Sequence, residues 1–188
     1  MALLRTFIAV SLSDLARQAL ARLIQDLSGL TRGVRLVSAE NIHLTLKFMG
    51  EVEAARLPDL KRALELSVVG IQPFSYELCE KGCFPNWQRP RVFWIGVQDL
   101  QQALLRLQRQ LESEFANFGF PAESRSFQPH LTIGRVKDPR NLSPFLAKFR
   151  EDDFGSYQVQ VTQVRLIQSD LLPTGARYTP LHTVALKT

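Results

Sequence analysis

Hydrophobic positions along the chain alternate between a period near two and a helical period, and the switches between them lay out an order of elements. Residues 3–10 are a mostly apolar run that reads as a strand. The next stretch carries Leu15, Ala19, Leu20, Leu23, Ile24 and Leu27 at helical spacing, with Ser13 placed to cap it and Gly29 to end it. Residues 34–37 and 42–49 read as strands, and 55–68 as a helix with Leu57, Leu60, Leu64 and Val68 on one side. Phe74, Tyr76 and Leu78 alternate as in a strand, GCFPNWQRPR has the Gly, Pro and Asn of a loop, and RVFWIGV is a compact buried strand. A long helix is predicted over 99–118, with Leu100, Ala103, Leu104, Leu107, Leu111, Phe115 and Phe118 facing inward and Gly119 stopping it. Residues 129–136 form another strand, and a short helix surrounds Pro144, a residue suited to a first turn. Strands over 156–169 and 177–187, joined by the turn LLPTGAR, close the chain.

Neighbouring strands without intervening helices predict a largely antiparallel α+β domain. Two of its strands share a spelling, HLTL at 43–46 and HLTI at 130–133, which predicts two related lobes facing each other. The length of 188 residues suits one domain spanning 1–188 with a core that needs neither disulfide nor metal. Its net charge of +5 would attract an anionic partner such as a nucleic acid. Cys79 and Cys83 lack the further ligands of a zinc site. On a regular strand they share a face too far apart for an easy bridge, so they read as free thiols of a reducing compartment. Arg5 interrupts the apolar start and no small-residue cleavage site follows, so this is a first strand, not a signal peptide. No apolar run is long enough for a membrane span. A cytoplasmic monomer is expected.

On a strand, residues i and i+2 point the same way. His43 and Thr45 therefore share one face, with Leu44, Leu46 and Phe48 directed to the core; His130 and Thr132 share another, opposite Leu131 and Ile133. Facing strands would place two imidazoles and two hydroxyls around one space. That set suits phosphate chemistry: one ring takes a proton from water, the other gives one to the departing oxygen, and the hydroxyls hold the non-bridging oxygens. The nucleophile is water, and neither metal nor cofactor is needed. Arg135 offers a cation, although a regular strand would turn it away; a bulge or strand end near Gly134 would bring it round. Lys47 shares the face of His43 and reads as a solvated lysine near the rim. His182, with threonine at +1 rather than +2, reads as structural or exposed, and Trp87 as the exposed aromatic among Phe84, Trp87, Phe93 and Trp94. A lone His-x-Thr commonly serves packing or surface; two copies on matching strands argue for a site.

With both motifs in view, the chain resembles the two-histidine (2H) phosphoesterases, and within them the RNA 2',3'-cyclic phosphodiesterases also known as LigT-type 2'-5' RNA ligases. The resemblance rests on HLTL and HLTI and on RTFIAV, VSAENIHLTLKFMGEV, PRVFWIGV, FQPHLTIGRV and VRLIQSDLLPTGARYTPLHTVAL, in the family's order across nearly the whole chain. It implies a bilobal α+β fold with two mainly antiparallel sheets, outer helices, approximate internal two-fold symmetry and a central cleft. It implies opening of 2',3'-cyclic phosphates on RNA ends or tRNA fragments to leave a 2'-phosphate, with His43 as proton donor to the 3'-oxygen, His130 activating water, and Thr45, Thr132 and Arg135 holding the phosphate. Spacing alone leaves donor and acceptor unassigned. The reverse reaction would join ends by a 2'-5' linkage. A non-catalytic nucleotide- or RNA-binding module on the same scaffold is the competing reading.

Overall fold

The computed structural model of the chain describes residues 2–173 and 175–187. The chain runs β1 (Leu3–Val10), α1 (Asp14–Leu27), β2 (Val34–Leu36), β3 (Leu44–Glu53), α2 (Leu57–Ser67), β4 (Phe74–Phe84), β5 (Val92–Gln98), α3 (Ala103–Asn117), β6 (His130–Val136), α4 (Ser143–Glu151), β7 (Tyr157–Val161), β8 (Gln163–Leu172) and β9 (Gly175–Ala185), with 3-10 turns at Ala39–Asn41 and Ala54–Arg56. One sheet has the order β3-β1-β8-β9 and the other β2-β6-β5-β4-β7. All their pairings are antiparallel. The two strands that carry His-x-Thr lead matching series: β3-β1-β8-β9 corresponds to β6-β5-β4-β7, with β2 added outside β6.

Helices α2 and α3 pack together and reach the first sheet at β8, β9 and β3, while α1 and α4 lie together with α1 against β7 of the second. The sequence explains where they begin. The Ser13 hydroxyl accepts a hydrogen bond from the Ala16 amide, 3.3 Å. At α3 the Asp99 carboxylate accepts from the amides of Ala103, Leu104 and Leu105 at 2.8–3.2 Å. Asp99 thus works from outside the helix, which starts at Ala103, and Leu100 stands exposed instead of joining the inner face. The larger buried cluster draws on both sheets and all four helices. A smaller one, Phe7, Ala9 and Ile167 with Tyr178 against it, lies on the other face of the first sheet. No helix among the described residues is long and apolar enough to cross a membrane.

The structure departs from simple periodicity in several places. The stretch 156–169 is two strands: after Thr162 the chain leaves the second sheet and enters the first. Gly82, Cys83 and Phe84, expected in a loop, end β4, because they pair with Trp94, Phe93 and Val92. A bulge at Glu80, where φ is +58°, puts Cys79 and Cys83 on opposite faces; both thiols are free. In β3, Thr45 pairs with Ala9 and Lys47 with Ile8, so Leu46 is an extra residue that breaks the alternation. Phe48 is consequently 48% exposed instead of joining the core. Lys47 is only 4% exposed and does not share the face of His43. Its ammonium meets the Glu112 carboxylate of α3 at 2.5 Å and donates to the Pro121 carbonyl at 2.9 Å.

That pair fastens the motif strand to the helix behind it. Removing one partner of a buried pair strands the other charge, at a cost of about 3–5 kcal/mol, whereas an exposed pair is worth at most about 1 kcal/mol. Urea denaturation of Lys47→Ala is expected to show a loss in the first range, with Lys47→Met losing less when combined with Glu112→Leu. A loss within the exposed range would show that the pair does not anchor β3.

Candidate active site

Each histidine is held by the same local device. The Nδ1 of His43 lies 2.8 Å from the Asn41 carbonyl, and the Nδ1 of His130 lies 2.7 Å from the Gln128 carbonyl. A carbonyl can only accept, so in both rings Nδ1 carries the proton and Nε2 is left for chemistry. His43 sits immediately before β3 and His130 opens β6, so both rings stand at strand starts where the backbone is still free to double back. Strands β3 and β6 run close to each other across the gap between the sheets, with Cα atoms within 8 Å.

The surroundings of the two rings differ. His43 stacks on Phe7 of β1, ring centres 4.5 Å apart and planes 20° from parallel. Tyr178 of β9 stands edge-on to both, at 5.1 Å from His43 and 5.2 Å from Phe7. Burial among these rings pushes the His43 imidazole down to about 4, only partly offset by the Asn41 carbonyl. Among the described residues His130 has one aromatic neighbour at ring-contact range, Phe84 of β4, edge-on at 5.1 Å, and lies beside a cavity of about 260 Å³ shared with Trp94, Phe127, Gln128 and Pro129.

Thr45 and Thr132 are both half-buried, and the sheets seat them alike: Thr45 is paired with Ala9 and Thr132 with Trp94. Directly after each threonine the register slips. Ile133 is the extra residue of β6, as Leu46 is of β3, so Gly134 pairs with Phe93 and Arg135 with Val92. The slip returns Arg135 to the face of Thr132, one residue earlier than a bulge after Gly134 would have done. Arg135 is exposed there and lies directly across the β2–β6 pair from exposed Arg35. Phe48 is its counterpart in the first half, with Arg5 packed over the ring at 4.6 Å. The phenol of Tyr178 titrates higher than usual because it is buried, and the charges of Arg135 and Arg5 pull it partly back. A tyrosine touching His43 therefore feels the arginine that follows His130, so the two halves share one electrostatic environment.

Other expectations resolve differently. His182 is apart from this cluster, with Nε2 3.1 Å from Glu65 on α2. Trp87 is half-buried against Phe149, with Arg150 stacked over it at 4.5 Å; Phe84 and Trp94 are half-buried as well and line the cavity beside His130, and Phe93 is buried, so no one of the four stands out as exposed. Sequence reasoning missed Phe7, Tyr178 and Phe84 as neighbours of the histidines. Only strand register could reveal them.

A ring held neutral by burial makes stability depend on pH with a definite sign. Between pH 6.5 and 4 the unfolded chain protonates His43 while the folded chain does not, so stability present above 6.5 is lost as pH falls toward 4, by about 3 kcal/mol in all. His43→Gln is expected to flatten that slope in denaturation curves recorded over this range. An unchanged slope would show that the ring is not kept neutral.

Comparison with known proteins identifies the family. A profile of the 2'-5' RNA ligase superfamily matches residues 14–171. A protein of Methanothermobacter thermautotrophicus named RNA 2',3'-cyclic phosphodiesterase is 36% identical over 97% of this chain and 98% of its own length. One of the same name from Thermotoga maritima is 36% identical over 95% of this chain and 94% of its own. The crystal structure of Escherichia coli LigT complexed with 3'-AMP superimposes with a TM-score of 0.76 at 27% identity, covering 100% of both chains. The family matched by the profile, the similarity to these relatives and the shared fold lead to one conclusion: the chain belongs to the 2'-5' RNA ligase superfamily.

Proposed function

We propose that this chain opens 2',3'-cyclic phosphates at RNA ends without a metal ion and leaves 2'-phosphomonoesters. The observation that carries the reading is the pair of imidazoles on neighbouring strands, each with Nδ1 committed to a carbonyl and a threonine two residues on. The names of the relatives support the substrate class, as does the nucleotide in the LigT structure.

In the proposed step, Nε2 of His130 takes a proton from water, and the water oxygen bonds to phosphorus. The bond from phosphorus to the 3'-oxygen breaks, and the Nε2 proton of charged His43 passes to that oxygen. Thr45 and Thr132 donate to the non-bridging oxygens, and Arg135 faces the negative charge that grows on them. Arg5 and Arg35 extend the positive surface toward a flanking RNA backbone.

Burial opposes a charged His43, so the substrate must load its own acid. A phosphate oxygen about 4 Å from the ring, at an effective dielectric of about 20, favours the charged ring by about 4 kcal/mol. Each 1.36 kcal/mol moves a proton affinity tenfold, so the anion is able to bring the ring from about 4 to near neutrality. His43 then becomes an acid only in the complex. All five site residues come from one chain, so a monomer suffices, and two free thiols suit the cytoplasm. With the 5'-hydroxyl of a second RNA in place of water, the same step would bond that oxygen to phosphorus, release the 3'-oxygen and leave a 2'-5' linkage.

The test is incubation with an oligonucleotide bearing a 2',3'-cyclic end, followed by product mapping. A 2'-phosphate should form, with a bell-shaped pH dependence and full rate in chelator. His43→Ala and His130→Ala should each lose at least about 100-fold in turnover with the fold intact. Full activity in either variant would refute the paired mechanism; loss of wild-type activity in chelator would point to a metal. A protein that binds the oligonucleotide and never converts it would be the binding module instead.

A further inference from the structure

The two halves of the site match in backbone and differ in what fills them, and the difference marks a place for the nucleobase. The cross-strand row Thr45, Ala9, Arg165 in the first sheet corresponds to Thr132, Trp94, Gly82 in the second. The next row, Phe7 and Ile167, corresponds to Val92 and Phe84. In the first half the surface above these rows is closed: Ala9 and Phe7 are buried, and the rings of Phe7, His43 and Tyr178 pack on one another. In the second half it is open, and Phe84, Trp94 and Phe127 line the cavity of about 260 Å³ whose remaining wall includes His130.

Trp94 is built into this wall. Its indole lies over Gly82, where a Cβ would fall 2.1 Å from Cζ2 and 2.3 Å from Cη2, and it leans toward Gly96 with Cζ3 at 3.3 Å from the corresponding point. Two glycines on adjacent strands thus leave a flat seat for the ring. Phe84 flanks it at 5.3 Å. The indole Nε1 is buried with no acceptor among the described residues, which is a donor left over in a site lined by aromatic faces. The volume falls just short of the roughly 300–1,000 Å³ of pockets for whole drug-sized ligands. It suits a single base whose ribose and phosphate remain in the cleft.

We propose that Phe84, Trp94 and Phe127 form the subsite for the base of the ribose that carries the cyclic phosphate. The stacking face tolerates any base, since every base has a π-face. With the base on the His130 side, the ribose can enter in one sense only, and this fixes which oxygen meets which imidazole. The subsite rests on the phosphodiesterase reading for its substrate, although base binding is measurable without turnover.

The experiment compares calorimetric binding of 2'-AMP with that of the base-free methyl riboside 2-phosphate, for wild type, Trp94→Leu, Trp94→Phe and Gly82→Ala. Stacking energies correspond to about 5- to 150-fold in affinity. Trp94→Leu should weaken 2'-AMP within that range and leave the base-free ligand within about twofold. Trp94→Phe should recover most of the loss. Gly82→Ala, which removes no aromatic but unseats the indole, should behave like Trp94→Leu. Equal losses for both ligands would overturn the subsite by showing that the residues act on the phosphate, and unchanged 2'-AMP binding in Trp94→Leu and Gly82→Ala would overturn it outright. A wild type that shows the expected binding pattern yet leaves 2',3'-cyclic AMP intact would support the subsite and sink the phosphodiesterase reading alone.

Discussion

A hydrogen bond from each imidazole Nδ1 to the carbonyl two residues earlier sets the tautomer of both histidines, and the rest of the site depends on it. Without that bond either ring could present a proton or a lone pair to the cleft and rotate between the two. With it, both Nε2 atoms are available in a defined state. The bond needs a chain that has not yet settled into the sheet, which is why the histidines stand at the starts of β3 and β6 and not within them. The threonines, two residues on, are already part of the ladders and inherit their rigidity.

Around this shared device the two halves have diverged. The first encloses its histidine in rings and suppresses its charge; the second leaves its histidine beside a cavity. Similar divergence follows each motif. After the slipped register, the first half places Lys47 inward to hold Glu112 and Phe48 outward, while the second places Gly134 inward and Arg135 outward. A Cβ at Gly134 would sit 3.0 Å from the Val34 side chain on the extra strand β2, which would have to give by a few tenths of an ångström. An approximate two-fold with unlike contents thus gives two imidazoles at matching positions in different surroundings.

The sequence disclosed the repeated motif, the helices and the antiparallel class, because these are local patterns of spacing and apolar character. His43 with Thr45 and His130 with Thr132 could be paired by reading two positions along a strand. What could not be read was anything set by register between strands distant in sequence. The extra residues Leu46 and Ile133 leave no local mark, yet they decide that Lys47 is buried, that Phe48 is exposed and that Arg135 turns to the face of Thr132. The ion pair of Lys47 joins residues 65 apart, and Tyr178 reaches His43 from the last strand. The change of sheet at Thr162 was hidden because both strands have the same period, and their apolar faces belong to one core.

The proposed chemistry needs both Nε2 atoms to address one phosphate. A crystal structure with a bound nucleoside 2'-phosphate tests it most directly. The phosphate should lie between the two rings, within hydrogen-bond distance of both Nε2 atoms and of the Thr45 and Thr132 hydroxyls. A phosphate held by one histidine alone, with the other ring turned away or out of reach, would refute the paired mechanism.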